Sequence, residues 1–418
     1  MLLYLKTFGI ELTVKKVLEN PSENDWKALN KLDSQLYKLQ LHVLRKEFLI
    51  ALMPQNEFKT KDALGLGLKA IAILDKEEAI NYLNKIDTKA SFISEDTDLL
   101  SKLGRCEMKF ANYDKSLEYH EGCLRIRLKT FNAENLLIAI SYNNIGQVWF
   151  SKGEYDKALE NYEKGFAIKS KILGIDHIEL SASYGNIGSV WYFKEDYEKT
   201  VYYYEKNLNI RLKNQGEEHS SVANSYNNLG MTWFKRENTD LAMQYHEKAL
   251  AIRLKTLGDE NPLVASTYNN IGQTWNKKGD YDKAIIYYSK SLQIRLKTLG
   301  SNHPDLARTY NNMGNTLVKK GDFEKAIENF ANCLAIYLKT LGGDHPSVAI
   351  LYYNIGEMHE SKGEYEKALE HYVLSSQIRF KKLGASNNLT KTSIESAKRL
   401  AKELGKDNEL PDWMKEIN

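Results

Sequence analysis

The stretch YNNIGQTWNKKGDYDKA, residues 268 to 284, sets two adjacent asparagines inside a segment whose apolar spacing is helical. Asparagine is a poor helix former because its amide competes for nearby backbone groups, so a doublet that recurs needs a physical reason. The glycine of this stretch, Gly272, recurs as Gly104, Gly146, Gly188, Gly230, Gly314 and Gly356, always at intervals of 42 residues. Around it runs Tyr-x2-Ile-Gly-x2-Trp, then Gly-x-Tyr, then Ala-x3-Tyr, as in Tyr268, Ile271, Gly272, Trp275, Gly279, Tyr281, Ala284 and Tyr288. Each of the seven units holds two apolar stretches of helical period split by a break such as Lys278-Gly279-Asp280, which predicts stacked helical hairpins.

The ends of each unit are marked as well. The longer second helix (helix B) is predicted to stop at Gly174, Gly216, Gly258, Gly300, Gly342 and Gly384, where a left-handed C-terminal cap is needed. Asn261-Pro262, His303-Pro304 and His345-Pro346 then open the next first helix (helix A), proline suiting the first turn because its missing N–H would be unpaired there.

The aromatic-x2-aliphatic-Gly-x2-aromatic pattern with Ala-x3-aromatic resembles a tetratricopeptide repeat. The 42-residue period, with "NNIG", "IRLKTLG" and "DHP", resembles the kinesin light chain subtype, whose helix B is longer than usual. The resemblance covers about residues 97 to 384 and implies an all-α, right-handed superhelical solenoid of helix-turn-helix repeats with helical caps. It also implies that helix A lines the concave side. The expected division is an N-terminal helical segment at 1–60, a degenerate hairpin or cap at 61–95, seven repeats at 96–384, and a capping helix with tail at 385–418. Fewer than three heptads precede the repeats, which speaks against a motor heavy chain as the partner.

Composition narrows the function classes. The 418 residues are 27% charged with a net charge of +3, too balanced to argue for nucleic acid or an anionic membrane. No run of 18 apolar residues occurs, and Lys6 and Glu11 break the start of the chain, so neither a spanning helix nor a secretory signal is expected and the setting reads as cytoplasmic. Cys106, Cys123 and Cys333 are too scattered for a disulfide frame or a zinc site. Cys123 and Cys333 share a slot with Gly165, Asn207, Ala249, Ser291 and Ser375, where small side chains suit close helix packing. His177, His219, His303 and His345 recur at the loop entering helix A, as loop-capping residues would. No phosphate loop, metal cluster or nucleophile–base pair assembles from the sequence, so no enzyme, metal or cofactor is expected. The arginines of "IRLK", namely Arg127, Arg211, Arg253, Arg295 and Arg379, read as a solvated stripe paired with acidic residues of the adjacent helix such as Glu118, Glu160, Glu205 and Glu247. The ladder Trp149, Trp191, Trp233 and Trp275 reads as core.

A polar stripe lies at minus six, minus two, plus one and plus five from each repeat glycine, a single helix face. It carries Asn144, Asn186, Asn228, Asn270, Asn312 and Asn354, with Asn143, Asn227, Asn269 and Asn311 beside them, and includes Gln273 and Asn315. A side-chain amide donates and accepts, the complement of a peptide unit, so such a ladder can grip an extended chain by its backbone, a use that the family resemblance also implies. The alternative is that each asparagine bridges neighbouring helices or ordered water. Lys235, Lys277, Lys319 and Arg308 make the middle of the stripe basic, Phe150 and Phe234 offer aromatic contacts, and Glu357 and Glu360 turn its last repeat acidic. The expectation is an adaptor that holds an extended, partly acidic peptide in a concave groove. The alternative function is a regulatory module whose N-terminal helices control an effector protein in response to a peptide in that groove.

Overall fold

The structure is a computed structural model that describes residues 95–416 together with Leu29 and Asp33. Those two positions are helical and buried; the segments expected at 1–60 and 61–95, and with them the regulatory N-terminal helices, otherwise lie outside the described residues apart from Glu95. Every regular element among the described residues is a helix. Contacts group the chain into two units, Met1–Tyr203 and Tyr204–Asn418, so the division falls inside the repeats.

The first unit holds α1 (Thr97–Lys109), α2 (Tyr113–Thr130), α3 (Leu136–Ser151), α4 (Tyr155–Leu173), α5 (Glu179–Phe193) and the start of α6 (Tyr197–Gln215). The second holds the rest of α6, then α7 (Ser220–Lys235), α8 (Thr239–Leu257), α9 (Pro262–Lys278), α10 (Tyr281–Leu299), α11 (Pro304–Lys320), α12 (Phe323–Thr340), α13 (Pro346–Ser361), α14 (Tyr365–Leu383), α15 (Asn388–Glu403) and α16 (Asp412–Lys415). Within the second unit α7 pairs with α8, α9 with α10, α11 with α12 and α13 with α14, and each pair packs on the next, giving stacked hairpins. Helix α15 covers the open side of α14, and Trp413 stacks on Phe380 at 4.6 Å between ring centroids.

The hairpins close tightly because the repeat glycine lets an aromatic ring of helix B sit against helix A. A Cβ on Gly272 would lie 2.7 Å from the Tyr288 ring, a distance no side chain tolerates. The slot of Cys333, Ala249, Ser291 and Ser375 is fully buried, as its small residues predict. Asn135, His219, Asn261, His303 and His345 each accept a backbone N–H of the following helix A, the cap that their recurrence at the loop anticipates. Gly258 and Gly300 close helix B at φ 78° with ψ of 171° and 163°. The positive φ is as predicted, but the backbone is extended rather than left-handed helical; the left-handed helical well is instead used inside the hairpins, at Gly279 and Gly321.

Two readings of the stack need correction. The "IRLK" arginines are not a solvated stripe: Arg253 and Arg295 are 4% and 0% exposed. Arg253 donates to the Leu263 carbonyl at 3.0 Å, to Thr267 Oγ1 at 2.6 Å and to Asn224 Oδ1 at 2.8 Å. Arg211, Arg295 and Arg379 donate in the same way to the carbonyls of Ser221, Asp305 and Leu389, and in the first unit Arg127 donates to Leu137. The guanidinium fork satisfies first-turn groups of the next helix A and joins repeat to repeat. The tryptophans are half-buried rather than core. Each carries a cation on its face, Lys157 on Trp149 at 4.4 Å, Lys199 on Trp191 at 3.8 Å, Arg236 on Trp233 at 4.7 Å and Lys283 on Trp275 at 4.2 Å, so the indoles form the boundary between core and solvent.

Candidate functional site

On α9 the stripe holds Ser266, Asn270, Gln273 and Lys277, and on α11 it holds Arg308, Asn312, Asn315 and Lys319. None of the eight is buried, whereas Ile271, Thr274, Ala307 and Leu317 on the other faces are. The same 3.6-residue period that buries one side therefore leaves this one open. Three successive helices A join here. Phe234 from α7, Gln273, Asn276 and Lys277 from α9, and Asn312, Asn315, Val318 and Lys319 from α11 line an open depression of about 590 Å³, with Tyr288 of α10 beside them. The hydroxyl of Tyr288 is buried beside Asn276 and Thr316, and burial raises its pKa. Six predicted site residues, Phe234, Gln273, Lys277, Asn312, Asn315 and Lys319, come together in this depression.

The asparagine doublet has a structural task of its own. Asn270 donates to Asn227 Oδ1 at 3.0 Å and Asn312 donates to Asn269 Oδ1 at 3.2 Å. In the first unit Asn186 donates to Asn143 at 2.9 Å, and Asn144 reaches Ser101 Oγ at 3.5 Å. The second asparagine of one repeat thus donates to the first asparagine of the repeat before it. A doublet lets one helix face both neighbours: Asn269 accepts from the following repeat while Asn270 donates to the preceding one. The ladder is therefore a strut between helices, and Asn269 is buried. The strut spends one amide hydrogen of Asn270 and Asn312; among the described residues their Oδ1 atoms accept no hydrogen bond, and the side chains of Asn228, Asn311 and Asn354 make none.

Charge on the face is lower than the sequence suggests. Lys277 Nζ bonds Glu237 Oε1 at 3.0 Å, reaches the Phe234 carbonyl at 3.4 Å and lies 5.0 Å from the centre of the Phe234 ring. Arg308 is paired with Asp305 of its own helix at 3.0 Å. Lys319 rests on Asn276 Oδ1 at 3.3 Å, and neither it nor Lys235 has a carboxylate partner among the described residues. The acidic end is also partly neutralised, because Glu360 accepts from the Tyr372 hydroxyl at 2.8 Å and from Arg399 of α15 at 2.6 Å. Glu357 is exposed; desolvation raises its pKa, with Glu360 adding to the effect.

In the first unit Phe150 packs edge-on against Phe193 at 5.3 Å and lies 5.7 Å from Tyr155. Phe193 is 53% exposed and is the ring this face presents to solvent. Sequence reasoning passed over it, although it occupies the plus-five register that holds Lys235, Lys277 and Lys319 elsewhere.

The tetratricopeptide repeat model matches residues 96–171, 179–255, 221–296, 263–330 and 305–379, more than half of the chain. The chain belongs to the tetratricopeptide repeat family. Its unit is 42 residues long. Among solved structures it is similar to BtubC (BKLC) from P. vanneervenii, at 22% identity and a TM-score of 0.46 over 57% of this chain and 93% of that one. It is also similar to a putative kinesin light chain from Podosopora anserina, at 21% identity and 0.45 over 49% and 97%, and to the apo form of RapI, at 19% and 0.46 over 63% and 99%. No curated protein matches its sequence. Membership makes the chain a protein-interaction scaffold of a typically non-catalytic kind. Among the described residues no three His, Cys, Asp or Glu side chains are placed to hold a metal ion, and no helix is long and apolar enough to cross a membrane.

Proposed function

We propose that this tetratricopeptide array is a cytoplasmic, non-catalytic adaptor that holds an extended, acidic segment of a partner protein on the open helix A face of its second unit. The observation that carries the reading is the depression shared by α7, α9 and α11, where an aromatic ring, two lysines and four side-chain amides converge. Lys319 supplies a charge with no carboxylate partner among the described residues. Gln273 and Asn315 supply amides that are not engaged in the asparagine struts. Net hydrogen bonds give about 0.5–1.5 kcal/mol each, so a few amides alone do not offset the cost of association. The aromatic and charged contacts supply the remainder, and affinity of roughly micromolar order is expected for a short segment.

The test uses side chains outside the struts. Replacing Gln273, Asn315 and Lys319 together by Ala should weaken binding of a labelled acidic peptide at least tenfold by fluorescence anisotropy, with the melting temperature unchanged. Unaltered binding by the triple variant sinks the proposal.

A further inference from the structure

The hairpin turn between helix A and helix B needs a positive φ, and Gly153, Gly279, Gly321 and Gly363 supply it at φ 76–85°. Glu237 holds the turn after α7 at φ 65°, a left-handed backbone that costs free energy for any residue bearing a side chain. Ala111 and Glu195 share the conformation. Among the described residues, only Glu237 of these three reaches a lysine of the candidate face: its carboxylate pairs with Lys277 at 3.0 Å, one repeat further on. The lysines at plus five thus differ in state although they are the same in sequence. Lys319 keeps its charge for a ligand; Lys277 has a carboxylate on it and lies over the Phe234 ring.

We infer that Glu237 is an internal competitor for acidic ligands, standing in for the ligand carboxylate on Lys277 and holding that side chain as a cover over Phe234. The inference rests on the groove reading above. A ligand carboxylate that takes Lys277 must displace Glu237, and the same movement uncovers the aromatic ring for an apolar neighbour. Acidic and apolar contacts are then gained together, so the site discriminates against segments that offer only one of them. The Glu237 side chain is largely in solvent, 80% exposed, and that of Lys277 is 33% exposed, so the competition is modest, about two- to five-fold in affinity.

The experiment compares wild type with Glu237→Gln, which keeps the backbone conformation and removes the charge, and with Glu237→Gly, which also relieves the backbone. Two short fluorescein-labelled peptides are titrated, one with glutamates around a single phenylalanine and one with glutamines in their place. Both variants should bind the glutamate peptide about two to five times more tightly than wild type, with a smaller gain for the glutamine peptide, whose phenylalanine profits only from the uncovered ring. The gain should vanish in a Lys277→Met background. Partial acylation read by mass spectrometry should show Lys277 more reactive in both variants and Lys319 unaltered, without any ligand. Equal affinity of all three proteins for the glutamate peptide overturns this inference and leaves the groove reading standing. Absence of binding by all three removes both, and unchanged Lys277 reactivity overturns the pairing itself.

Discussion

Arg295 shows how a single residue is set by its neighbours. Its guanidinium is fully buried and burial pushes its pKa down to about 10, a penalty accepted because the fork satisfies the Asp305 carbonyl and reaches Thr309 Oγ1. Arg295→Met should lower stability by about 2–3 kcal/mol, since the carbonyl and hydroxyl then lose a charged donor; urea denaturation measures it. His246 is the pH-sensitive counterpart. Burial holds the ring at about 4 against an ordinary 6.5, with Arg253 adding to the effect. The folded state prefers the neutral ring, so its contribution is full above about pH 6.5 and is lost as pH falls toward 4. The maximum is about 3 kcal/mol, from about 1.36 kcal/mol per pH unit. His246→Tyr, the residue type at Tyr288 and Tyr372, should flatten the melting temperature of the second unit between pH 6.5 and 4 relative to wild type.

An element in this chain is defined as much by its stops as by its period. Helix B ends at Gly258 and Gly300 with φ near 78° and ψ beyond 160°, a region essentially reserved for glycine. Gly258→Ala should therefore cost about 1–3 kcal/mol, visible in the urea midpoint, although the new methyl meets no neighbouring atom within 4 Å. At the end of the second unit α15 covers Ala368, Leu369 and Tyr372 with Ile394, Ala397, Leu400 and Ala401. Truncation before Asn388 should expose that surface, and amide exchange should rise most in α14, since each hairpin rests on the neighbour that packs against it.

Within the second unit as a whole, the lysine pairs recur with the repeat, as in Lys278 with Asp240, Lys255 with Glu218, Lys297 with Glu260 and Lys320 with Asp282. Their carboxylates are mostly in solvent, and such pairs contribute about 0–1 kcal/mol each. Raising salt from about 0.1 to about 1 M shortens the Debye length from about 10 to about 3 Å. Acidic-peptide affinity should then fall several-fold while the melting temperature moves by only a few degrees. A collapse of both together would mean that charge, and not stacked apolar surface, carries the array.

The helical hairpin was legible in the sequence because local rules act on it directly: the 3.6-residue period, the glycine that admits a ring, the proline at the first turn and the capping side chain each need only near neighbours along the chain. The open helix A face and the meeting of Phe234, Lys277 and Lys319 could be anticipated from the same period once the repeat length was known. What the stripe's side chains actually hold was decided only in three dimensions. Asn270 and Asn312 turn sideways to Asn227 and Asn269, Lys277 is taken by Glu237, and the "IRLK" arginines leave solvent for carbonyls of the next repeat. A residue's register fixes the direction in which it points, but its hydrogen bonds depend on atoms of a neighbouring repeat, 10 residues away in the chain for the arginines and 40 to 43 for the asparagines and Lys277, and those atoms come within reach only when one hairpin has stacked on another.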